Sequence, residues 1–120
     1  MNLDKIKAYF PDFQIGDFDM FDQIISLKWE RIADNVTWEE YTSLKLKMTC
    51  PGNYTIGMEF IGVNSLYFQG NGQISGFYIK DMAVRGYESC SKYEVGDYEE
   101  GDIRFYCSDI VILFFEKTEG

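Results

Sequence analysis

Alternating hydrophobicity is the feature of this sequence that most limits its possible folds. From residue 23 onward, apolar and polar residues alternate over several short segments, and glycine-containing turns separate these segments. Successive side chains of a β-strand point to opposite faces of a sheet, so a period of two predicts strands with one buried face. The chain is therefore predicted to be mainly β.

The predicted strands follow one another at short intervals. Ile25, Leu27 and Trp29 are predicted to face inward from the first strand, and residues 44, 46 and 48 from the second. The last segment, IVILFFEK, is apolar on both faces, which predicts a central position in its sheet. The remaining strands are predicted over residues 54–60, 66–68, 74–79, 92–95 and 102–107.

One short helix is predicted before the strands. Leu3, Ile6 and Phe10 are spaced three and four residues apart, and Pro11 prevents the helix from continuing. Residues 37–41 are compatible with either one helical turn or a wide hairpin loop. The predicted architecture is a single domain over residues 1–120, a twisted antiparallel sheet or partly closed β-sandwich of about eight strands with a short N-terminal helix.

The composition excludes several classes of function. Among the 120 residues there is no histidine, which removes histidine-based acid–base catalysis, histidine-activated nucleophiles and histidine metal ligands. Twenty acidic and eleven basic residues give a net charge of −9. A field of that sign repels phosphate backbones and attracts basic proteins. We therefore expect neither an enzyme nor a nucleic-acid-binding protein.

Cysteine spacing and hydropathy indicate the compartment. Cys50, Cys90 and Cys107 are widely spaced, which favours buried free thiols over a disulfide framework or a zinc site. The longest apolar run, Ile110–Phe115, is far shorter than the roughly 20 residues of a membrane helix. The N-terminal segment lacks the apolar core of a signal peptide. These observations predict a cytoplasmic protein without membrane association.

Glycines at positions 70, 72 and 76 could suggest a phosphate-binding loop. Such a loop opens a helix, whereas the residues that follow here have the composition of a strand. A tight turn and a strand glycine account for the same residues. We expect no bound cofactor.

The segment GDYEEGD, residues 96–102, is the main candidate for a functional site. Its acids do not match a calcium loop, since Gly101 stands where the third oxygen ligand is needed. Acids on an exposed turn also lack the contrast of environments that a catalytic pair requires. No bound metal is expected. Two interpretations remain, a solvated turn that discourages edge aggregation and an acidic patch with Tyr98 as an aromatic anchor for a basic partner.

Three segments supply the candidate partner-binding residues. Trp38 is a candidate contact or an exposed packing residue. In DFDMFD, residues 17–22, Asp17 and Asp19 are candidates, although Phe18 and Phe21 favour a loop that fills the core. The acidic segment from residue 87 to 102 contributes Tyr87, Glu88, Tyr93, Glu94, Asp97, Tyr98, Glu99, Glu100 and Asp102.

Two stretches, residues 58–79 and 93–113, together resemble small bacterial immunity proteins of polymorphic-toxin and contact-dependent inhibition systems. The match rests on Phe60, Gly62, Val63, Ile74, Gly76, Phe77, Phe105 and Cys107. The chain has MFDQ at residues 20–23, where the family pattern has an FHD-like sequence. The resemblance implies a cognate toxin partner that is blocked by occlusion.

The composition predicts a non-enzymatic binding protein, and the resemblance implies that it is an immunity protein. It is expected to bind a cognate, basic nuclease-type toxin through its acidic, aromatic-containing surface, as a monomer or weak homodimer. A small ligand-binding or housekeeping β domain without an inhibitory role is the alternative, and a carboxylate-based hydrolase is a third possibility.

Overall fold

The computed structural model describes residues 1–82 and 92–117 of the chain. Within these residues, eight strands form two antiparallel four-stranded sheets that do not close into a barrel. Sheet A has the order β1-β2-β3-β8 and sheet B the order β4-β7-β6-β5. The elements are α1 (Asp4–Lys7), a 3₁₀ helix (Ile15–Met20), β1 (Gln23–Ala33), β2 (Glu40–Cys50), β3 (Tyr54–Ile61), β4 (Asn64–Phe68), β5 (Phe77–Asp81), β6 (Tyr93–Asp97), β7 (Ile103–Cys107) and β8 (Asp109–Lys117).

The predicted mainly β fold with a short N-terminal helix is confirmed. No helix among the described residues is long and apolar enough to cross a membrane.

One hydrophobic core receives side chains from both sheets. Phe60 of β3 and Phe105 of β7 are fully buried, and their ring centroids lie 4.9 Å apart. Leu44, Leu46 and Met48 of β2 are also buried, as their alternation predicted. The inner faces of the two sheets therefore follow the period-two pattern of the sequence.

The first strand departs from its predicted pattern. A bulge lies between Ile24 and Ser26, so Ile24 is buried and Ile25 is 49% exposed. The prediction that Ile25 faces inward is wrong because the extra residue shifts the alternation. Trp29 lies opposite the buried Leu44 but is 48% exposed, because β1 is an edge strand.

A wide loop joins β1 to β2, so the hairpin alternative is confirmed and the helical turn is wrong. The Asp34 amide donates to the Glu39 carbonyl at 2.8 Å, and the Trp38 amide donates to the Asp34 carbonyl at 2.9 Å. The Asp34 carboxylate also accepts hydrogen bonds from the backbone amides of Val36 and Thr37. They form one hydrogen-bonded turn over residues 34–38, and β2 already begins at Glu40, so no helical turn lies over residues 37–41.

The last strand is an edge strand, so its predicted central position is wrong. Among the described residues, β8 pairs only with β3. Phe114 lies directly over Gly57 on the outer face of the sheet, and Phe115 is buried in the core. Lys5 Nζ donates to the carbonyls of Ile112 and Leu113 at 3.3 and 3.1 Å. The outer face of β8 is only partly covered, since Val111 is 39% and Leu113 38% exposed.

Replacing Gly57 with alanine tests the contact between Gly57 and the Phe114 ring. The new Cβ would occupy the space of the Phe114 ring and displace it. We expect the free energy of unfolding, measured by urea denaturation, to fall by about 1–3 kcal/mol. Gly16→Ala is the matched control, because nothing lies within 4 Å of its added Cβ.

The same substitution in a Phe114→Ala background separates this contact from a general cost of replacing glycine. With the ring absent, Gly57→Ala should cost much less than in the wild type. An equal cost in both backgrounds would contradict the assignment.

Candidate functional site

The acidic turn between β6 and β7 is held by one of its own carboxylates. Asp97 is only 6% exposed. It accepts hydrogen bonds from the backbone amides of Ile103 at 2.9 Å and Glu100 at 3.2 Å. The Tyr98 amide donates to the Gly76 carbonyl at 3.0 Å and ties the turn to the segment before β5. The expectation that Asp97 is an exposed acid is wrong, because its carboxylate organises the turn.

The rest of the turn faces solvent. Tyr98 is 62% exposed, and its ring stacks on the Tyr78 ring with centroids 4.2 Å apart. Glu99 and Glu100 are exposed and follow it directly. The turn therefore presents one aromatic ring and two free carboxylate side chains from a fixed backbone.

A further acid joins this turn from the N-terminal part of the chain. Asp22, Glu100 and Asp102 line one shallow pocket of about 410 Å³. Asp22 lies here because its carbonyl accepts a hydrogen bond from the Ile74 amide at 2.9 Å. The sequence places Asp22 in the DFDMFD segment, and only the folded structure brings it beside this turn. We call Asp22, Tyr98, Glu99, Glu100 and Asp102 the acidic surface.

Glu94 has a different environment, on the outer face of sheet B. Its side chain is only 12% exposed. Oε2 accepts a hydrogen bond from the Tyr78 hydroxyl at 3.0 Å and lies 3.9 Å from Lys80 Nζ. Oε1 accepts from the Tyr106 hydroxyl and from Arg104 Nη2, both at 3.2 Å. Glu94 is thus committed to internal contacts and is a poor candidate for direct contact with a partner.

These contacts shift the pKa values of the groups involved. Burial acts to raise the pKa of Glu94, but hydrogen bonds from Tyr78 and Tyr106 and the positive charge of Arg104 outweigh it and hold that pKa below its ordinary value. Burial, together with the hydrogen bond to Glu94, raises the pKa of Tyr78 to about 12. Glu94 is therefore ionised and Tyr78 neutral at physiological pH.

The 3₁₀ helix contains the second acidic cluster. Asp17 and Asp19 are exposed, whereas Phe18 and Phe21 are fully buried. Asp17 also accepts a hydrogen bond from the Gln14 amide at 2.8 Å at the start of this helix. The interpretation that the two phenylalanines fill the core is confirmed.

Trp38 lies in the loop between β1 and β2 of sheet A, whereas the β6–β7 turn belongs to sheet B. It is 87% exposed and its neighbour Val36 is 88% exposed. Its backbone φ of 62° is left-handed, a conformation that residues with bulky side chains rarely adopt. The ring is available for contact but is not part of the acidic surface.

The remaining predicted residues contribute less to a site. Tyr93 is half-buried, and burial raises its pKa. Tyr87 and Glu88 lie outside the described residues, as does Cys90. Cys50 and Cys107 are buried free thiols, as predicted, and burial raises the pKa of Cys107 to about 12. In residues 1–82 and 92–117, no group of three or more cysteine, aspartate or glutamate side chains is arranged to hold a metal ion.

A scan against protein-family models, a search of curated proteins and a search of solved structures each give no match to this chain. The resemblance to immunity proteins therefore stays a prediction.

Replacing Glu94 with glutamine tests its role on sheet B. A pKa lowered by folding means that ionised Glu94 stabilises the fold above its unfolded pKa, about 4.3, and that this contribution is lost as pH falls through the lower folded value. At pH 7 we expect Glu94→Gln to lower the free energy of unfolding by about 1.5–3 kcal/mol. The difference from wild type should shrink as pH falls through the lowered folded pKa of Glu94, because the wild-type carboxylate is then protonated.

Urea denaturation at a series of pH values measures this difference. Glu116→Gln, at an exposed position of β8, is the matched control and should change stability little at any pH. A Glu94→Gln deficit that is independent of pH would contradict an ionised, internally paired Glu94.

Proposed function

We propose that this chain is a non-enzymatic immunity protein that binds a cognate, basic nuclease-type toxin and covers its active cleft. The observation that carries the proposal is the β6–β7 turn, which holds exposed Tyr98, Glu99 and Glu100 on a backbone fixed by buried Asp97. A surface that is already ordered loses less conformational entropy on binding than a flexible one. Exposed tyrosines are frequent anchors of protein interfaces.

The charge distribution supports a basic partner. The chain has a net charge of −9, and Asp22 and Asp102 extend the negative charge of the turn into the adjoining pocket. Complementary charge accelerates association and disfavours partners of the same sign. An acidic protein of this kind matches the positive cleft in which a nuclease holds its phosphate backbone.

The positions of the buried carboxylates support binding over catalysis. A carboxylate-based hydrolase needs two acids facing a substrate, one with a raised pKa and one ionised. Asp97 is bonded to backbone amides, and the pKa of Glu94 is lowered instead of raised. Glu99 and Glu100 are both exposed, so nothing separates their environments.

Removing the two free charges of the turn should weaken toxin binding without unfolding the protein. We expect the double change Glu99→Gln and Glu100→Gln to raise the Kd for the toxin domain encoded in the same gene cluster by more than tenfold, as measured by calorimetry. The thermal midpoint should change little, since exposed charges contribute under about 1 kcal/mol each. Tyr98→Ala should weaken binding further.

The matched control changes the same number of exposed acids elsewhere. Asp12→Asn with Glu116→Gln alters the net charge equally, on other elements of the fold. Equal loss of affinity in both double variants would mean that affinity depends only on total charge, and would contradict a docking role for the turn. Asp97 is left unchanged in this test, because its substitution would disturb the turn itself.

The association rate should depend strongly on salt. Charges separated by more than about 8 Å are largely screened at physiological ionic strength, so electrostatic steering weakens as salt increases. Stopped-flow measurements should give an association rate that falls from low to high salt, with a smaller change for the Glu99 and Glu100 double variant. A rate that is flat across this range would exclude steering by the acidic surface.

A further inference from the structure

The outer face of sheet B carries a pocket beside the acidic surface. Its volume is about 640 Å³, and its walls include Tyr67, Tyr78, Tyr98, Lys80 and Arg104. The register of β5, β6, β7 and β4 places residues 78, 96, 104 and 67 side by side in one row across the sheet. Residue 96 is a glycine, and the Tyr78 hydroxyl group lies over it, 2.9 Å from where a Cβ would stand.

The acids near this pocket are already satisfied by the protein. Glu94 accepts three hydrogen bonds and forms ion pairs with Lys80 and Arg104, and Asp97 accepts two backbone hydrogen bonds. Neither carboxylate has much capacity left for a ligand that donates hydrogen bonds. The pocket therefore offers few free acceptors.

The cations of the pocket are in the opposite situation. Among the described residues, Arg104 forms its hydrogen bonds through Nη2 alone, and its side chain is 59% exposed. Lys80 Nζ has its one ion pair there with Glu94, and its side chain is 35% exposed. Because each cation pairs with a different oxygen of the same carboxylate, Glu94 holds both at one place. Their remaining donors favour a ligand with acceptor oxygens.

The aromatic walls favour a flat body on that ligand. The exposed Tyr98 ring stacks on Tyr78, and Lys80 Nζ lies 5.0 and 5.1 Å from the centroids of these two rings. Tyr67, opposite Arg104, is 49% exposed. Tyrosine rings provide apolar contact and stacking for another ring while their hydroxyls remain in water.

We propose that this pocket binds a small aromatic carboxylate. Arg104 and Lys80 hold the carboxylate group, and Tyr67 and Tyr98 contact the ring. The site goes beyond the proposed function, since it uses the cations of sheet B and needs no toxin. Its chemistry also fits an acidic side chain of a protein, and the experiment separates this source from a small molecule.

Chemical-shift titration of the ¹⁵N-labelled full chain tests the site. Phenylacetate should shift the backbone amides of Gly96, Gly101 and Arg104 saturably. Its affinity should be at least tenfold higher than that of phenylacetamide, which has the ring without the charge. It should also be at least tenfold higher than that of acetate, which has the charge without the ring.

Four single variants test whether Arg104 and Lys80 bind the carboxylate group. Arg104→Gln and Lys80→Met should each weaken phenylacetate binding at least fivefold. The matched controls are Arg31→Gln and Lys28→Met on β1, which remove the same charges from exposed residues that also have acidic neighbours. The controls should leave the affinity unchanged. If Arg104→Gln disturbs the fold, seen as lost peak dispersion, Lys80→Met still decides the outcome.

Several results would overturn the proposal. Equal affinity for phenylacetate and phenylacetamide would remove the role of the cations, and equal weakening by the β1 controls would reduce binding to total charge. Absence of saturable shifts would exclude the site. Binding of N-acetylglutamate amide as tight as that of phenylacetate would assign the pocket to an acidic side chain of a protein. None of these results bears on toxin binding by the Glu99 and Glu100 double variant.

Discussion

The contact between Phe60 and Phe105 is the interaction on which the rest of the structure depends. It joins an inner strand of sheet A to an inner strand of sheet B, with ring centroids 4.9 Å apart. Because side chains alternate along a strand, an inward Phe105 forces Arg104 and Tyr106 outward. The same rule places Glu94 outward, since Val95 is buried. The polar cluster on the outer face of sheet B is thus a consequence of how the core packs.

Much of this arrangement could be predicted from the sequence, and the failures have physical causes. Alternation correctly identified the buried face of β2, but it could not reveal the bulge that exposes Ile25. The apolar character of β8 was correctly noted, but its edge position was not predicted, because strand order depends on contacts between residues far apart in sequence. The burial of Asp97 was missed because the predicted strand ended at Val95, whereas β6 continues to Asp97 and turns it inward. The pairing of Glu94 with Arg104 could not be predicted, because it depends on the register between strands.

The structure distinguishes paired acidic residues from exposed ones, which composition alone does not. Glu94 forms ion pairs with Lys80 and Arg104, whereas the side chains of Glu99 and Glu100 are exposed in the turn. The negative charge that gives the chain its net −9 is therefore spread unevenly over the surface. The Tyr98 ring stands at the boundary, belonging to the acidic surface and also to the wall of the pocket. Its stacking on Tyr78 links the two regions physically.

The pairing of β3 with β8 also has a consequence for how the chain reaches its native state. Tyr54–Ile61 must find Asp109–Lys117, after most of the chain has been made. During synthesis on the ribosome, the β1–β2–β3 meander can form early, but one edge of β3 then has no partner. Pairings between segments distant in sequence form slowly, and an unpaired strand edge can recruit strands from other chains. The interval before β8 emerges is therefore when a nascent chain is most exposed to aggregation.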